Sequence, residues 1–273
     1  MRISRLASPE GGHVLAVDSD GQGFRYCSTS FEALMAGALP ELHCPAEGEL
    51  LAPLRPGNVI GVGLNFRDTV EQMGWDMPER PYLFPKFASS VIGPNDAIVV
   101  DPSLTRRVDW EGEVAVVIGR TASRVAPARA LNHVFGYLAA NDVSARDLQE
   151  SDGQWVRGKA MDTFCPLGPW IRTADEVPDP QDLWIRTWVD GELVQDGSTA
   201  DMIFGVAELV AYISSFITLE PGDVLLTGTP AGCGDFRSPP RHLHPGSRVE
   251  VEVQYLGRLN NVVVRDPVVR IPA

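Results

Sequence analysis

The segment Val108-Asp109-Trp110-Glu111-Gly112-Glu113-Val114-Ala115-Val116-Val117-Ile118-Gly119 constrains the chain more than any other. Its second half is an apolar, β-branched run closed by glycine, which predicts a buried strand. Side chains alternate along a strand, so Trp110, Val114, Val116 and Ile118 should share one face. Glu111, Glu113, Ala115 and Val117 should share the other. Two carboxylates are then held at the mouth of a packed core, where leaving both ionised without a partner is costly. Two arrangements relieve that cost. The strand end can dip into solvent, or a hard cation such as Mg²⁺ can take the carboxylate oxygens it prefers. The pair alone does not choose between them.

With 273 residues the chain can bury a large core in one domain or two. No run approaches the roughly 20 apolar residues that a membrane span needs. The start, Met1-Arg2-Ile3-Ser4-Arg5-Leu6, lacks an apolar signal run. A soluble, cytoplasmic protein with no membrane partner is expected. The net charge of -13 argues against nucleic acid and requires a local positive site for any anionic substrate. Cys27, Cys44, Cys165 and Cys233 form no Cys-x-x-Cys pair, so neither a zinc site nor a disulfide framework is predicted. Among the 23 basic residues only Lys86 and Lys159 are lysine. A lysine kept against so strong an arginine bias is a candidate for work arginine cannot do, because lysine can lose its proton when desolvated. The alternative is chance survival of the codon.

The pattern predicts a small N-terminal unit over 1–52 and a larger β-rich body over 53–273. In the first, a hairpin turns at Asp18–Gly23, and a short helix follows Ser30. In the second, Pro56-Gly57, Pro221-Gly222 and Pro245-Gly246 each sit at a turn that starts a strand, which suits type II geometry. A short helix with glycine before and after it, Leu64–Gly74, reads as a candidate mobile lid. Helices are also predicted over 127–136, with His133 structural, and over 202–217, capped by Asp201. Asp142 follows a predicted buried strand, where sheets present ligands, although a turn role would place an acid there too. Lys159 and Asp162 lie among apolar residues in a loop. The glycines of 228–234 could bring backbone N–H groups close to an anion, or could simply make a tight turn.

Taken in order, Gly63-Leu64-Asn65-Phe66-Arg67-Asp68, Asp109-Trp110-Glu111-Gly112-Glu113, Asn141-Asp142-Val143-Ser144-Ala145-Arg146-Asp147, Gly158-Lys159-x-x-Asp162-Thr163 and Thr227-Gly228-Thr229-Pro230-Ala231-Gly232 resemble the fumarylacetoacetate hydrolase superfamily over roughly residues 54 to 265. The resemblance implies an α+β, mainly β fold: a mixed β-sandwich roll with peripheral helices, here with the N-terminal appendage. It implies a homodimer, and Mg²⁺ or Mn²⁺ held by Glu111, Glu113 and Asp142. Lys159 matches the family's active-site lysine, with Arg146 and Asp162 near it. Thr229 matches a contact to the substrate carboxylate, helped by Gly228; Lys86 is placed with these as a substrate contact.

The lid departs from the family pattern. Hydrolytic and decarboxylating members often carry Asn-Tyr-x-Asp-His-x-x-Glu, in which His and Glu activate water. Asn65 and Asp68 are kept, but Phe66, Thr69 and Gln72 stand at the Tyr, His and Glu positions, and neither Thr69 nor Gln72 is a base near neutral pH. The expectation is therefore a metal-dependent enzyme acting through an enolate on a small 2-oxo or β-diketo carboxylate, as a tautomerase, isomerase or decarboxylase. A C–C bond hydrolase and a catalytically silent ligand-binding relative are the alternatives.

Overall fold

The Gly112–Ile118 strand lies inside a 12-stranded mixed sheet in the computed structural model, which describes residues 1–8 and 11–267. It pairs antiparallel with Val134–Asn141 on one side and with Val224–Leu226 on the other. Beyond Val224–Leu226 come Val59–Gly63, parallel to it, and Tyr82–Lys86. On the opposite flank, Val134–Asn141 pairs with Cys165–Thr173, which pairs with Arg2–Ala7. The N-terminal strands thus continue the sheet of the larger body.

A second sheet of five strands packs across the first, in the order Glu192–Ser198, Trp184–Val189, Arg248–Val253, Gly257–Arg265 and Ala97–Val100. Both faces of Gly112–Ile118 are covered, which is why its sequence is apolar without a polar alternation. Val114, Val116 and Ile118 pack in one cluster with Ile185, Val251 and Val253 of the second sheet. Ala115 and Val117 join Ile3, Val17 and Leu54 in another. Each buried valine contributes about 1.5–3 kcal/mol. The fold is α+β and mainly β, as expected.

Several local expectations are corrected. Trp110 does not share the face of Val114. The chain leaves the sheet between Asp109 and Gly112, and Trp110 packs in a third cluster with Val108, Val143 and Val249. The predicted 127–136 helix stops at Ala130; after one 3-10 turn, Val134 pairs with Ile118, so strand pairing overrides helical propensity. The 202–217 helix covers only Val206–Ser214 and is capped at Gly205, whose N–H is taken by Glu208 Oε2 at 2.8 Å. Asp201 instead accepts the Asp68 N–H at 2.9 Å, at the start of another helix. Gly222 and Gly246, at φ +90° and +101°, have the left-handed backbone of a type II turn, whereas Gly57 does not.

Candidate metal centre

One carboxylate oxygen from each of Glu111, Glu113 and Asp142 lies within 4.8 Å of the others. The strand register explains the convergence. Gly112 pairs with Asn141 and Glu113 with Ala140, so the neighbouring strand releases Asp142 beside Glu111. The Asp142 N–H donates to the Glu111 carbonyl at 2.9 Å. The Glu111 N–H donates to Asn141 Oδ1 at 3.0 Å. Gly112 between the glutamates is a packing requirement, because a Cβ there would stand 2.2 Å from Thr187 Oγ1.

Three buried cations face these acids. Lys159 Nζ donates to Glu111 Oε2 at 2.7 Å and to Asp142 Oδ2 at 2.6 Å. Lys86 Nζ donates to Asp142 Oδ1 at 2.5 Å and to the Val143 carbonyl at 3.3 Å. Arg146 Nη2 lies 2.7 Å from Glu111 Oε1 and 2.8 Å from Asp109 Oδ2, with Phe236 stacked on the guanidinium 5.1 Å from its ring centre. Glu113 is left out of this pairing. Its one hydrogen bond is from the Gly228 N–H at 2.9 Å, and it has no ion pair among the described residues. Four carboxylates, Asp109, Glu111, Glu113 and Asp142, therefore face three cations.

The imbalance sets the protonation states. Burial, then the Asp142 and Glu111 carboxylates, push Glu113 well above the usual carboxylate range. Burial would also raise Asp142, but the ammonium groups of Lys159 and Lys86 outweigh it and hold Asp142 low. Burial would lower Lys159, but Asp142 and Glu111 outweigh it and keep the side chain an ammonium. A site of carboxylate oxygens only, with an excess negative charge and a fully buried glutamate lacking a cation, fits a hard divalent ion such as Mg²⁺ or Mn²⁺. Glu111, Glu113 and Asp142 would hold it.

The pocket above this floor is small, about 30 Å³, and is lined by Leu64, Thr69, Glu111, Trp155, Lys159 and Thr229 among others. A cleft of about 270 Å³ adjoins it, sharing Met73, Arg146 and Trp155 with the pocket. The lid helix, Arg67–Met73, closes the pocket and is latched to its surroundings. Arg67 Nη1 donates to the Met202 carbonyl at 2.8 Å and Thr69 Oγ1 to the Thr229 carbonyl at 2.8 Å. The Ala231 N–H donates to Asp68 Oδ2 at 3.0 Å, and the Gly232 N–H to Gln72 Oε1 at 3.1 Å. Gly63 behind the lid is there for packing, since a Cβ would meet Trp155 at 2.4 Å. The left-handed residue at that end is Leu64, at φ 58°. A non-glycine residue in that region carries strain on the order of 1–3 kcal/mol.

The structure gathers Glu111, Lys159, Arg146, Thr69, Gly228 and Thr229 around one pocket, with Glu113 and Asp142 buried beside Glu111 beneath its lining. It places other expected residues differently. Lys86 is 2% exposed and braces Asp142 from behind, outside the pocket lining, so it is not positioned to touch substrate. Asp162 is exposed and outside the pocket lining. Asn65 ties the lid to its neighbours, donating to the Phe204 and Thr227 carbonyls at 3.1 and 2.8 Å. The Thr229 hydroxyl already donates to the Gly112 carbonyl at 2.9 Å and accepts from Gln195 Nε2 at 2.8 Å. His242 contacts Asp235 at 2.8 Å, and neither His242 nor His244 lines the pocket. Four contributors were not singled out from sequence: Asp109, Phe84, Trp155 and Gln195. The signal for Asp109 is its place at the head of the acidic motif, two residues before Glu111. Phe84 and Trp155 lie 4.8 and 6.0 Å from Lys159 Nζ, and Gln195 joins from the second sheet, with no spacing signal.

Residues 58–264 match the fumarylacetoacetate (FAA) hydrolase C-terminal family. The chain belongs to the fumarylacetoacetate hydrolase family. Within it, the chain is 46% identical over 246 residues to human "Oxaloacetate tautomerase FAHD2A, mitochondrial", covering 89% of this chain and 77% of that protein. Among solved structures it is similar to a fumarylacetoacetate hydrolase from Exiguobacterium antarcticum, at 38% identity and TM-score 0.88, covering 97% of this chain and 100% of that one. A 5-carboxymethyl-2-hydroxymuconate delta-isomerase from Mycobacterium smegmatis is also 38% identical, with TM-score 0.84 and the same coverage of both chains. These relatives carry tautomerase, hydrolase and isomerase names.

Proposed function

We propose that the protein is a divalent-metal-dependent keto–enol tautomerase or isomerase of a small 2-oxo carboxylate. One observation carries this reading. Lys159 Nζ bridges Glu111 and Asp142 at the pocket floor, while both lid positions that would hold a water-activating pair, Thr69 and Gln72, hydrogen-bond to the backbone of residues 229–236. Tautomerisation moves a proton between carbon and oxygen and needs no water nucleophile. When bound, Mg²⁺ or Mn²⁺ supplies a Lewis acid that polarises the 2-oxo group. The Lys159 ammonium offsets charge that develops on the substrate oxygen and gives it a proton in the keto-to-enol direction. Glu111, which pairs with Lys159 and Arg146, would take the proton leaving the substrate carbon and return one to Lys159, so that the net change is one proton moved from carbon to oxygen. Burial, followed by the nearby Asp109 carboxylate, pushes the Cys233 thiol well up, so it stays protonated beside this exchange. The tautomerase and isomerase names of the relatives support the same reading.

The test follows the enol absorbance of oxaloacetate with the protein and Mg²⁺. Faster decay, slowed by a chelator and with mass unchanged, is expected. Appearance of acid and ketone fragments, or loss of CO₂, would move the assignment to hydrolase or decarboxylase; no turnover, with no Mg²⁺-dependent rise in melting temperature, would leave a silent binding protein. We further propose a homodimer, to be checked by light scattering. No helix of the described residues is long and apolar enough to cross a membrane. All four cysteines are free, which suits a reducing compartment, and we propose the cytoplasm.

A further inference from the structure

A second cleft, of about 710 Å³, opens where the N-terminal strands meet the catalytic body. Gly119 lines it, at the opposite end of the metal strand from Glu113. At about 3.3 Å per residue, some 20 Å of strand separates the two sites. Nothing in the proposed reaction uses this cleft.

Its charge runs against the rest of the chain. In a protein of net charge -13, the cleft is lined by Arg5, His13 and Arg55, and the single acid lining it among the described residues is the exposed Glu32. None of the three basic groups has an ion pair among the described residues. Arg5 is the centre of the cluster. It is 8% exposed, its Nη1 reaches only the Ala52 carbonyl at 3.4 Å, and its buried Nε has no hydrogen-bond partner. A buried charged donor left unmatched is costly, and a planar guanidinium is suited to paired oxyanion oxygens. Burial and the neighbouring Arg55 guanidinium also lower the Arg5 pKa, as expected of a site short of negative charge. The exposed Ser28 adds a hydroxyl to the same wall.

We propose that this cleft binds a small oxyanion, a phosphate or a polycarboxylate, between Arg5 and Arg55. The ligand's oxygens would meet the parts of the Arg5 and Arg55 guanidinium groups that line the cleft and separate the two charges, and the Arg5 Nε–H, buried in the same guanidinium, reports their arrival. The test uses the full-length, metal-free, ¹⁵N-labelled protein at constant ionic strength. Inorganic phosphate and then citrate are titrated in, each up to about 10 mM, the scale of a weak site. The Arg5 Nε–H resonance should shift and saturate. Saturation with phosphate alone assigns a phosphoryl ligand, with citrate alone a polycarboxylate, and with both a general oxyanion site. Arg55→Gln changes an exposed residue and should weaken binding roughly fivefold, the scale of one partly exposed charged contact. Failure of both anions to move Arg5 Nε–H, or unchanged affinity in Arg55→Gln, would overturn the proposal.

Discussion

Lys159 Nζ lies 2.6 Å from Asp142 Oδ2, and the opposite oxygen of the same carboxylate is taken by Lys86. Asp142 is therefore clamped between two ammonium groups, one facing the pocket and one behind it. Glu113, the remaining acid, has neither. The predictions below follow from this asymmetry.

Glu113→Gln should abolish the rise in melting temperature that Mg²⁺ or Mn²⁺ produces, while leaving the fold intact. It should also raise the melting temperature of the metal-free protein, because it removes the one buried carboxylate that lacks a cation. Metal-dependent stabilisation retained in the variant would remove Glu113 from the ligand set.

The metal-free protein should lose stability as pH rises from about 5 to 8. The folded pKa of Glu113 is raised above its ordinary value of 4.5, so in this window the native state binds more protons than the unfolded state. Stability then falls with pH. Asp142, held low, is ionised in both states across the window, and Lys159, held high, is protonated in both, so neither contributes a slope. Urea unfolding of wild type and Glu113→Gln in chelator checks this: the difference between the two slopes should be negative, and parallel slopes would refute it.

Lys86→Met should destabilise the protein by roughly 3–5 kcal/mol, the scale for breaking one side of a buried ion pair. It should also reduce kcat more than KM, since Lys86 reaches Asp142 and not the pocket. A variant with normal stability and a raised KM would return Lys86 to the substrate.

Thr69→His with Gln72→Glu places an imidazole at the pocket wall and a carboxylate one helical turn away on the lid. A general base contributes a factor of about 10² to 10⁴. The double variant should gain hydrolysis or decarboxylation of oxaloacetate and acylpyruvates, read as fragment or CO₂ release. It should also lose the Thr69 latch to the Thr229 carbonyl. No gained cleavage, with Mg²⁺ binding intact, would sink the account of the lid.

Much of the metal floor was legible because strand geometry maps sequence onto space. Once Gly112 pairs with Asn141, the acids at 111, 113 and 142 have little freedom to be elsewhere. Identity without direction was not enough for the lysines. The rarity of Lys86 marked it, but only the pairing of its strand with Val59–Gly63 revealed that it enters behind Asp142. Asp162 carried a motif match, yet its side chain is exposed. Asp201 had the right chemistry for a cap and the right distance from a helix, but it caps the lid instead, a choice made by tertiary contact. Gln195 had no local signal at all.

Gln195 belongs to the second sheet, yet its Oε1 accepts the Gly112 N–H at 2.9 Å, and its Nε2 donates to Thr229 Oγ1 at 2.8 Å and the Pro230 carbonyl at 2.7 Å. One amide thus ties the metal strand to the loop opposite, from outside both. The two walls it joins form a rigid chassis, and the third wall, the lid, is attached mainly through side-chain contacts to backbone. Exchanges at 69 and 72 can therefore re-tool the chemistry without recasting the floor beneath it.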